Sequence, residues 1–299
     1  MYGNIRYASK KSILLMCLPI LLLLLSSCAS TGTTDNAAAE SPETEVISET
    51  PDITPGQDDT PAATPKTVDL SEYGEIPIPQ LEPLTEGEEI ALLHTTLGII
   101  KLRFFPGNAP NAVQNFKTLA KSGYYNGVIF HLVLENQMIQ SGDPEGTGLG
   151  GNSMWGQPFS PETSLGMFHI RGAVSMLRGP EPVSQGSQFF IVVNKELSEE
   201  VKNELGSYKD KQNEVVLELE DGTPVPMAYR YPVRIIDKYL EDGGIPGLDL
   251  QYTVFAQVFD GFDVIDKIAS VETSEDEETM GKPLEDIVIE KITFEQYAA

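Results

Sequence analysis

The chain has 299 residues, of which 45 are aspartate or glutamate and 20 are lysine or arginine, giving a formal net charge of -25 at pH 7. A surface of this sign repels nucleic-acid phosphates and anionic lipid headgroups, so we expect neither as a partner of the folded surface. The chain is long enough for a domain with a sizeable core, and its two cysteines are too few for a disulfide-stapled scaffold.

Residues 1–27 have the features of a targeting segment. Three basic residues precede an apolar run at 13–25, which is shorter than the roughly 20 residues that a membrane-spanning helix needs. The run ends in Leu-Ser-Ser-Cys, which resembles a lipoprotein signal cleaved before Cys28 and disfavours a transmembrane helix. We therefore expect an exported protein, anchored to the extracytoplasmic face of a bacterial cell membrane by a lipid on Cys28. Because Cys17 would leave with the signal, no intrachain disulfide is expected.

Residues 28–84 have a composition typical of a disordered tether. The segment is rich in Thr, Pro, Ser, Ala, Asp and Glu and poor in apolar residues, so it buries too little surface to offset the entropy of ordering. Between residues 31 and 90 there are fifteen acidic residues and a single basic one, Lys66. Like charges repel along the chain, so we expect the tether to be extended.

Residues 85–299 carry the patterns of one folded domain. Alternating apolar and charged residues predict a hairpin of two strands, at 89–94 and 98–105. A helix of about three turns is expected from Asn108, which can cap it, with Pro110 in its first turn and apolar residues at helical spacing. The remaining predicted elements are strands at 128–134, 172–176, 188–193, 252–259 and 287–294, and a helix at 262–269.

The most informative stretch of the domain begins at residue 127. Residues 128–134 are apolar almost without interruption, apart from His131, and predict a strand that is buried on both faces. Five glycines follow between residues 141 and 151. They allow backbone conformations that other residues resist, so we expect a tight turn there or the close approach of a partner.

A second block accompanies the first. Residues 172–176 read Gly-Ala-Val-Ser-Met, and residues 186–192 read Gly-Ser-Gln-Phe-Phe-Ile-Val. Together the two blocks resemble the active-site segments of the cyclophilins, which are peptidyl-prolyl cis-trans isomerases. The resemblance implies a mainly β fold, a closed antiparallel barrel of eight strands capped by a helix at each end.

The resemblance also sets one stretch apart. Cyclophilins usually need only a short loop where this chain has residues 197–246, so we interpret the stretch as an insertion before the last strands. We expect helices at 197–205 and 234–240 and a strand at 215–219, and we expect the Thr-Pro-Val-Pro run at 223–226 to break any regular element. The insertion is either a solvent-facing excursion or a subdomain that contacts substrate, and the sequence favours neither.

The resemblance implies a set of site residues. Rotation about an X-Pro amide costs about 18–20 kcal/mol, so a catalyst must hold the proline ring and favour the twisted amide over both planar forms. The residues implied in catalysis are Gln188, Phe190, His131 and Leu132. Those implied in peptide binding are Gln137, Met138, Gln140, Leu177, Arg178, Leu248 and Tyr252.

Two of these positions depart from the family pattern. Where cyclophilins read Phe-His-Arg, this chain reads Phe130-His131-Leu132, so a side chain without charge or hydrogen bond replaces the arginine that assists the twisted amide nitrogen. Gln137 stands where an aromatic wall of the pocket is expected. Arg178 lies at the rim of the expected groove, where it either replaces the missing guanidinium or caps a carbonyl.

Other kinds of site are not expected. The G-x-G-x-x-G match at 146–151 has no strand leading directly into it and no helical pattern after it, so the context of a dinucleotide site is missing. His94, His131 and His169 are far apart in the sequence, and no close His/Cys cluster indicates a metal. We therefore expect neither a metal nor a cofactor.

Two functions remain open from the sequence. The first is a prolyl isomerase, of reduced activity, that acts on proline-containing segments of exported proteins. The second is a catalytically silent lipoprotein that binds proline peptides or serves as a scaffold, having kept the fold and lost the chemistry. In both cases we expect a monomer, and we expect membrane contact only through the lipid on Cys28.

Overall fold

The computed structural model describes residues 66–219, 221–277 and 279–298. The expected signal segment, Cys28 and the expected tether up to residue 65 lie outside these ranges. Within them, no helix combines the length and the apolar character that crossing a membrane requires.

One antiparallel sheet of eight strands and a separate strand pair form the β-structure. The strands are β1 (Glu89–Thr95), β2 (Gly98–Phe104), β3 (Leu132–Leu134), β4 (Met138–Ser141), β5 (Ala173–Met176), β6 (Phe189–Val192), β7 (Val215–Glu218), β8 (Pro224–Pro226), β9 (Thr253–Asp260) and β10 (Ile289–Gln296). The eight-stranded sheet has the order β10-β1-β2-β9-β5-β6-β4-β3, and β7 pairs with β8. The helices are α1 (Pro110–Lys121), α2 (Glu199–Tyr208), α3 (Met227–Arg230), α4 (Val233–Asp242) and α5 (Phe262–Ala269).

The sheet is open, and the expectation of a closed barrel is wrong. β10 and β3 are its two edges, and no ladder joins them in the described part of the chain. A single bridge from Ile129 to Val288, with a few backbone hydrogen bonds, links the irregular chain before β3 to the chain before β10. Only residues 132–134 of the expected strand 128–134 enter a ladder. Too little of this strand is regular to close the barrel, so the sheet remains curled and open.

Two helices pack on the sheet where capping helices were expected. The ring of Phe116 in α1 lies 5.2 Å from Phe255 in β9 and 5.4 Å from Phe189 in β6. α5 buries Ile265 and Ile268 in the same apolar core. Burying a large apolar side chain contributes about 1.5–3 kcal/mol, so these contacts fix both helices on the sheet.

The start of α1 is capped by a distant residue. The expectation that Asn108 is the cap is wrong, because Ala109 takes the cap position and makes no side-chain hydrogen bond. Glu162 instead accepts hydrogen bonds from the backbone N–H groups of Asn111 at 3.1 Å and Ala112 at 2.9 Å. A carboxylate suits this place because the first N–H groups of a helix lack partners within the helix.

The insertion is a packed part of the fold. It contains α2, β7, β8, α3 and α4, and its apolar core includes Leu205 and Ile236. These side chains pack in one cluster with Phe168 and Ile170, which precede β5. The insertion is therefore not a solvent-facing excursion.

The proline-containing run at 223–226 forms regular structure, contrary to expectation. β8 contains Pro224 and Pro226 and pairs with β7 over three residue pairs. A proline has no backbone N–H to donate, but an edge strand tolerates it because one side of the strand needs no partner. A two-stranded sheet consists only of edge strands.

The folded part of the chain begins before residue 85. Composition assigns residues 67–84 to the tether, yet Ile78 is 0% exposed in the apolar cluster of the insertion. The side-chain amide of Gln80 donates to the Phe168 carbonyl at 2.8 Å and accepts from the Phe168 N–H at 2.7 Å. The expected boundary at residue 84 is therefore wrong. The composition of the segment is dominated by acidic residues and does not reveal the few residues, such as Ile78 and Gln80, that attach it to the fold.

Candidate functional site

Strand register brings several expected site residues together on one face of the sheet. Leu132 lies opposite Gln140 in the β3 and β4 pair, and Gln140 lies opposite Phe190 in the β4 and β6 pair. Directly opposed residues of antiparallel strands point to the same face. Met138 shares this face because side chains alternate along β4. The three short strands therefore place an amide between two apolar side chains.

Three polar side chains form a buried hydrogen-bonded chain beside this face. Gln140 Nε2 donates to Gln188 Oε1 at 2.9 Å and lies 3.0 Å from His131 Nε2. Because Gln140 donates, His131 Nε2 accepts, and the neutral ring carries its proton on Nδ1. His131 Nδ1 is buried and has no hydrogen-bond partner among the described residues. The structure thus brings these three expected site residues together.

The pKa of His131 is lowered from its usual value. Burial is the main cause, since it disfavours the charged ring, and Lys282 acts in the same direction. The charge of Asp143 and the neighbouring Gln188 amide act in the opposite direction without cancelling the shift in pKa. At neutral pH the ring is therefore uncharged and supplies no positive charge to the site.

The glycine-rich loop is held against the site by Gln188. Gln188 Nε2 donates to the carbonyl of Gly148 at 3.0 Å and to that of Gly150 at 2.7 Å. Gly142 lies at the start of the loop with a φ of +95°, and a Cβ there would meet the Ser187 carbonyl oxygen at 2.5 Å. Only glycine allows the loop to approach β6 this closely.

Asp143, which is not among the residues expected from the sequence, fixes the backbone of this loop. Its carboxylate accepts hydrogen bonds from the backbone N–H groups of Glu145 (3.0 Å), Thr147 (2.9 Å), Gly148 (2.8 Å) and Gly150 (3.2 Å), and from Thr147 Oγ1 (3.0 Å). Burial alone would raise the pKa of Asp143, but these hydrogen bonds together outweigh it and hold the pKa below its usual range. An aspartate followed by threonine and glycines is typical of such turns and is the signal in the sequence.

The expected pocket residues form one apolar cluster. Phe190, Met138 and Leu248 are buried in it, and Leu177 and Tyr252 pack against it while half-buried. The rings of Phe190 and Tyr252 meet edge to face at 5.5 Å. Phe190 is only 1% exposed, so a proline ring would reach it only after Tyr252 or another rim residue moves.

The remaining expected residues lie at the edge of this cluster. Gln137 is half-buried in the turn between β3 and β4, where its N–H bonds the Leu134 carbonyl at 3.0 Å. A side chain on Gly281 would meet Leu132 Cδ1 at 2.7 Å, so the loop around residue 281 packs directly on Leu132. The Arg178 guanidinium lies 3.4 Å from the carbonyls of Gly179 and Gln251, which is the carbonyl-capping alternative.

The described residues contain no group of three or more His, Cys, Asp or Glu side chains arranged to hold a metal ion. What the site offers is an apolar cluster, two amides and a neutral imidazole. These groups can bind and orient an uncharged peptide segment.

Comparison with known proteins gives one consistent result. The family model described as cyclophilin type peptidyl-prolyl cis-trans isomerase/CLD matches residues 90–294. A Staphylococcus aureus protein named as a peptidyl-prolyl cis-trans isomerase is 39% identical over 219 residues, which are 73% of this chain and 98% of that protein. A Staphylococcus saprophyticus protein of the same name is 40% identical over 215 residues, covering 72% and 96% of the two chains.

Solved structures agree with these relatives. The crystal structure of a cyclophilin type peptidyl-prolyl cis-trans isomerase from Cryptosporidium parvum matches with a TM-score of 0.51 and 25% identity, covering 70% of this chain and 99% of that one. The same protein in the presence of the dipeptide Ala-Pro matches with a TM-score of 0.50, 25% identity, and coverage of 69% and 98%.

Asp143 provides a test of the loop. We expect Asp143→Asn to lower the free energy of unfolding at pH 7 by about 2–3 kcal/mol, because an amide cannot accept all the hydrogen bonds that the carboxylate accepts. The folded pKa lies below the ordinary value of 3.8, so this stabilisation is present above about pH 4 and is lost as the pH falls through the folded pKa. Thermal melts at pH 7, 5 and 3 should show a difference between variant and wild type that narrows with acid.

The matched control is Asp210→Asn, which changes the same group at an exposed position. Its effect should stay within about 0.5 kcal/mol at every pH. A difference between Asp143→Asn and wild type that is small at pH 7, or that widens with acid, would contradict the role given to this carboxylate.

Proposed function

Because the chain belongs to the cyclophilin-type peptidyl-prolyl cis-trans isomerase family, we propose that it isomerises X-Pro bonds of exported proteins at the Phe190 face, with Leu132 where relatives carry arginine. The observation that carries the proposal is the juxtaposition of Gln188 and Gln140 with the apolar cluster of Phe190, Met138 and Leu248. A solved relative was crystallised in the presence of Ala-Pro, which supports a proline peptide as the ligand class.

The geometry suits a reaction in which no covalent bond is made or broken. Once a rim residue such as Tyr252 moves, a proline ring would pack on Phe190, Met138 and Leu248. The side-chain oxygens of Gln140 and Gln188 would anchor the flanking peptide as acceptors, because both amide nitrogens already donate twice within the protein. The X-Pro amide twists when the proline ring rotates relative to the anchored peptide. If the protein binds the twisted amide more strongly than the planar forms, the barrier to rotation falls. This contribution comes from positioning and needs no charge.

With Leu132 at this position, the site lacks an electrostatic contribution to the stabilisation of the twisted amide. The twisted amide nitrogen regains its lone pair, and a cation or donor beside it stabilises that state. Leu132 provides neither, His131 is neutral, and the Arg178 guanidinium lies near two backbone carbonyls. We therefore propose an isomerase that accelerates rotation less than a relative with arginine at this position.

Restoring the guanidinium tests this account. We expect Leu132→Arg to raise kcat/KM for a Suc-Ala-Ala-Pro-Phe anilide about tenfold in a protease-coupled assay. This gain in kcat/KM should stay below the roughly hundredfold effect that a preorganised donor can have. The loop at Gly281 packs on Leu132 and must move to make room for an arginine. Gln137→Phe should add to the gain by closing the apolar pocket.

The control is Leu132→Met, which keeps an apolar side chain of similar volume and should leave kcat/KM unchanged. If Leu132→Arg folds normally by circular dichroism and thermal melting but shows no gain, the missing arginine does not limit the rate. In that case the peptide-binding or scaffold function would replace the isomerase as the better account.

The proposed location rests on the sequence of residues 1–28. We propose export and a lipid on Cys28, which would place the isomerase beside proteins that fold after crossing the membrane. We expect Cys28→Ala to move the protein from the membrane fraction to the soluble fraction, because the folded surface is acidic and does not bind anionic lipid by itself. Fractionation in high salt and in carbonate measures this. A variant that still sediments with membranes under both conditions would rule out the lipid anchor.

A further inference from the structure

A buried polar network lies directly behind the candidate proline pocket. Asp249 Oδ1 accepts from the His169 backbone N–H at 2.7 Å and from His169 Nδ1 at 2.9 Å. Tyr239 OH lies 2.9 Å from Asp249 Oδ1 and 2.8 Å from Oδ2. His169 Nε2 lies 3.0 Å from Ser175 Oγ. The side chains of His169 and Asp249 are fully buried.

The connectivity of Ser175, His169 and Asp249 is that of a nucleophilic triad, but its burial excludes that role. A serine nucleophile must reach a substrate carbonyl. Ser175 and His169 are both 0% exposed, and Asp249 is 1% exposed. The network therefore acts on its protein neighbours.

Those neighbours are the walls of the pocket. The His169 ring lies nearly parallel to Phe190, with centroids 6.1 Å apart and an interplanar angle of 14°. The same ring meets Tyr252 edge to face at 6.4 Å. Asp249 directly follows Leu248 in the chain. Fixing Asp249 and His169 thus fixes the backing of Phe190 and the position of Leu248.

Two further groups that stabilise Asp249 come from the insertion. Tyr239 is in α4, and Arg230, at the end of α3, has Nη1 3.8 Å from Asp249 Oδ2 and Nη2 3.3 Å from the Asp249 carbonyl. A buried carboxylate is costly unless it is hydrogen-bonded and paired. Burial, reinforced by Asp249, raises the pKa of Tyr239 well above its usual value, so the phenol keeps its proton and donates.

We propose that the insertion is a positioning element for the proline pocket, acting through the hydrogen bonds of the Tyr239 hydroxyl to Asp249, which orients His169 behind Phe190. This proposal rests on the isomerase function proposed above. It assigns residues 197–246 a role at the site without direct contact with the peptide.

Tyr239→Phe in the full chain removes the hydroxyl and keeps the ring. We expect kcat/KM for the proline peptide to fall about tenfold, the effect of losing one buried hydrogen bond to a charged group. The aromatic ¹H–¹³C signals of Phe190 should broaden or shift, because its backing becomes mobile. The control is Tyr208→Phe, which removes another hydroxyl of the insertion, one that bonds Glu204 and not Asp249. It should change neither readout.

Two results would overturn the proposal. One is a Tyr239→Phe protein that melts at lower temperature but keeps wild-type kcat/KM and unchanged Phe190 signals well below its melting temperature. The other is an equal effect of both tyrosine variants. If Tyr239→Phe does not fold, Asp249→Asn replaces it, because asparagine keeps the shape of the side chain. Its kcat/KM and its Phe190 signals are then measured and judged by the same criteria. If the wild type itself shows no isomerisation, the isomerase proposal fails, and the Phe190 signals alone decide the positioning role.

Discussion

The side-chain amide of Gln188 connects the parts from which the candidate site is built. Its nitrogen holds the carbonyls of Gly148 and Gly150, and its oxygen holds Gln140. The loop at one end of this connection is fixed by the carboxylate of Asp143. A buried amide that loses its partners costs free energy, so the loop, β4 and β6 are stable in one arrangement. That arrangement places polar anchors beside an apolar cluster, which is what a proline peptide requires.

Positioning and charge are separable contributions to the rotation of an X-Pro amide. Twisting an amide needs a held ring and an anchored chain, and the groups that could provide both are Phe190, Gln140 and Gln188. The additional stabilisation of the nitrogen lone pair depends on a donor, and Leu132 has none. A fold can therefore retain the first contribution while losing the second, which makes a slow isomerase physically consistent with this sequence.

The sequence predicts best what is local. The two blocks that resemble the cyclophilins contain Gln140, Gln188 and Phe190, so these candidate residues follow from their own neighbours in the sequence. The helix at 262–269 forms with the expected bounds as α5. Contacts between distant segments leave no local pattern. Tyr239 and His169 both form hydrogen bonds with Asp249, and Ile78 is buried beside α4. No pattern in the sequence around these residues predicts their partners. The closed barrel fails for a similar reason, since apolar character at 128–134 does not specify ladder pairing.

The most direct test of the central claim is the rate of cis-trans isomerisation of a Suc-Ala-Ala-Pro-Phe anilide, with wild type and Phe190→Ala measured side by side. The account predicts a rate above the uncatalysed isomerisation for the wild type, proportional to protein concentration. It also predicts loss of that excess in Phe190→Ala, shown by circular dichroism to be folded, because the ring loses its pocket. A wild-type rate equal to the uncatalysed rate, or an excess that survives in the variant, would contradict it.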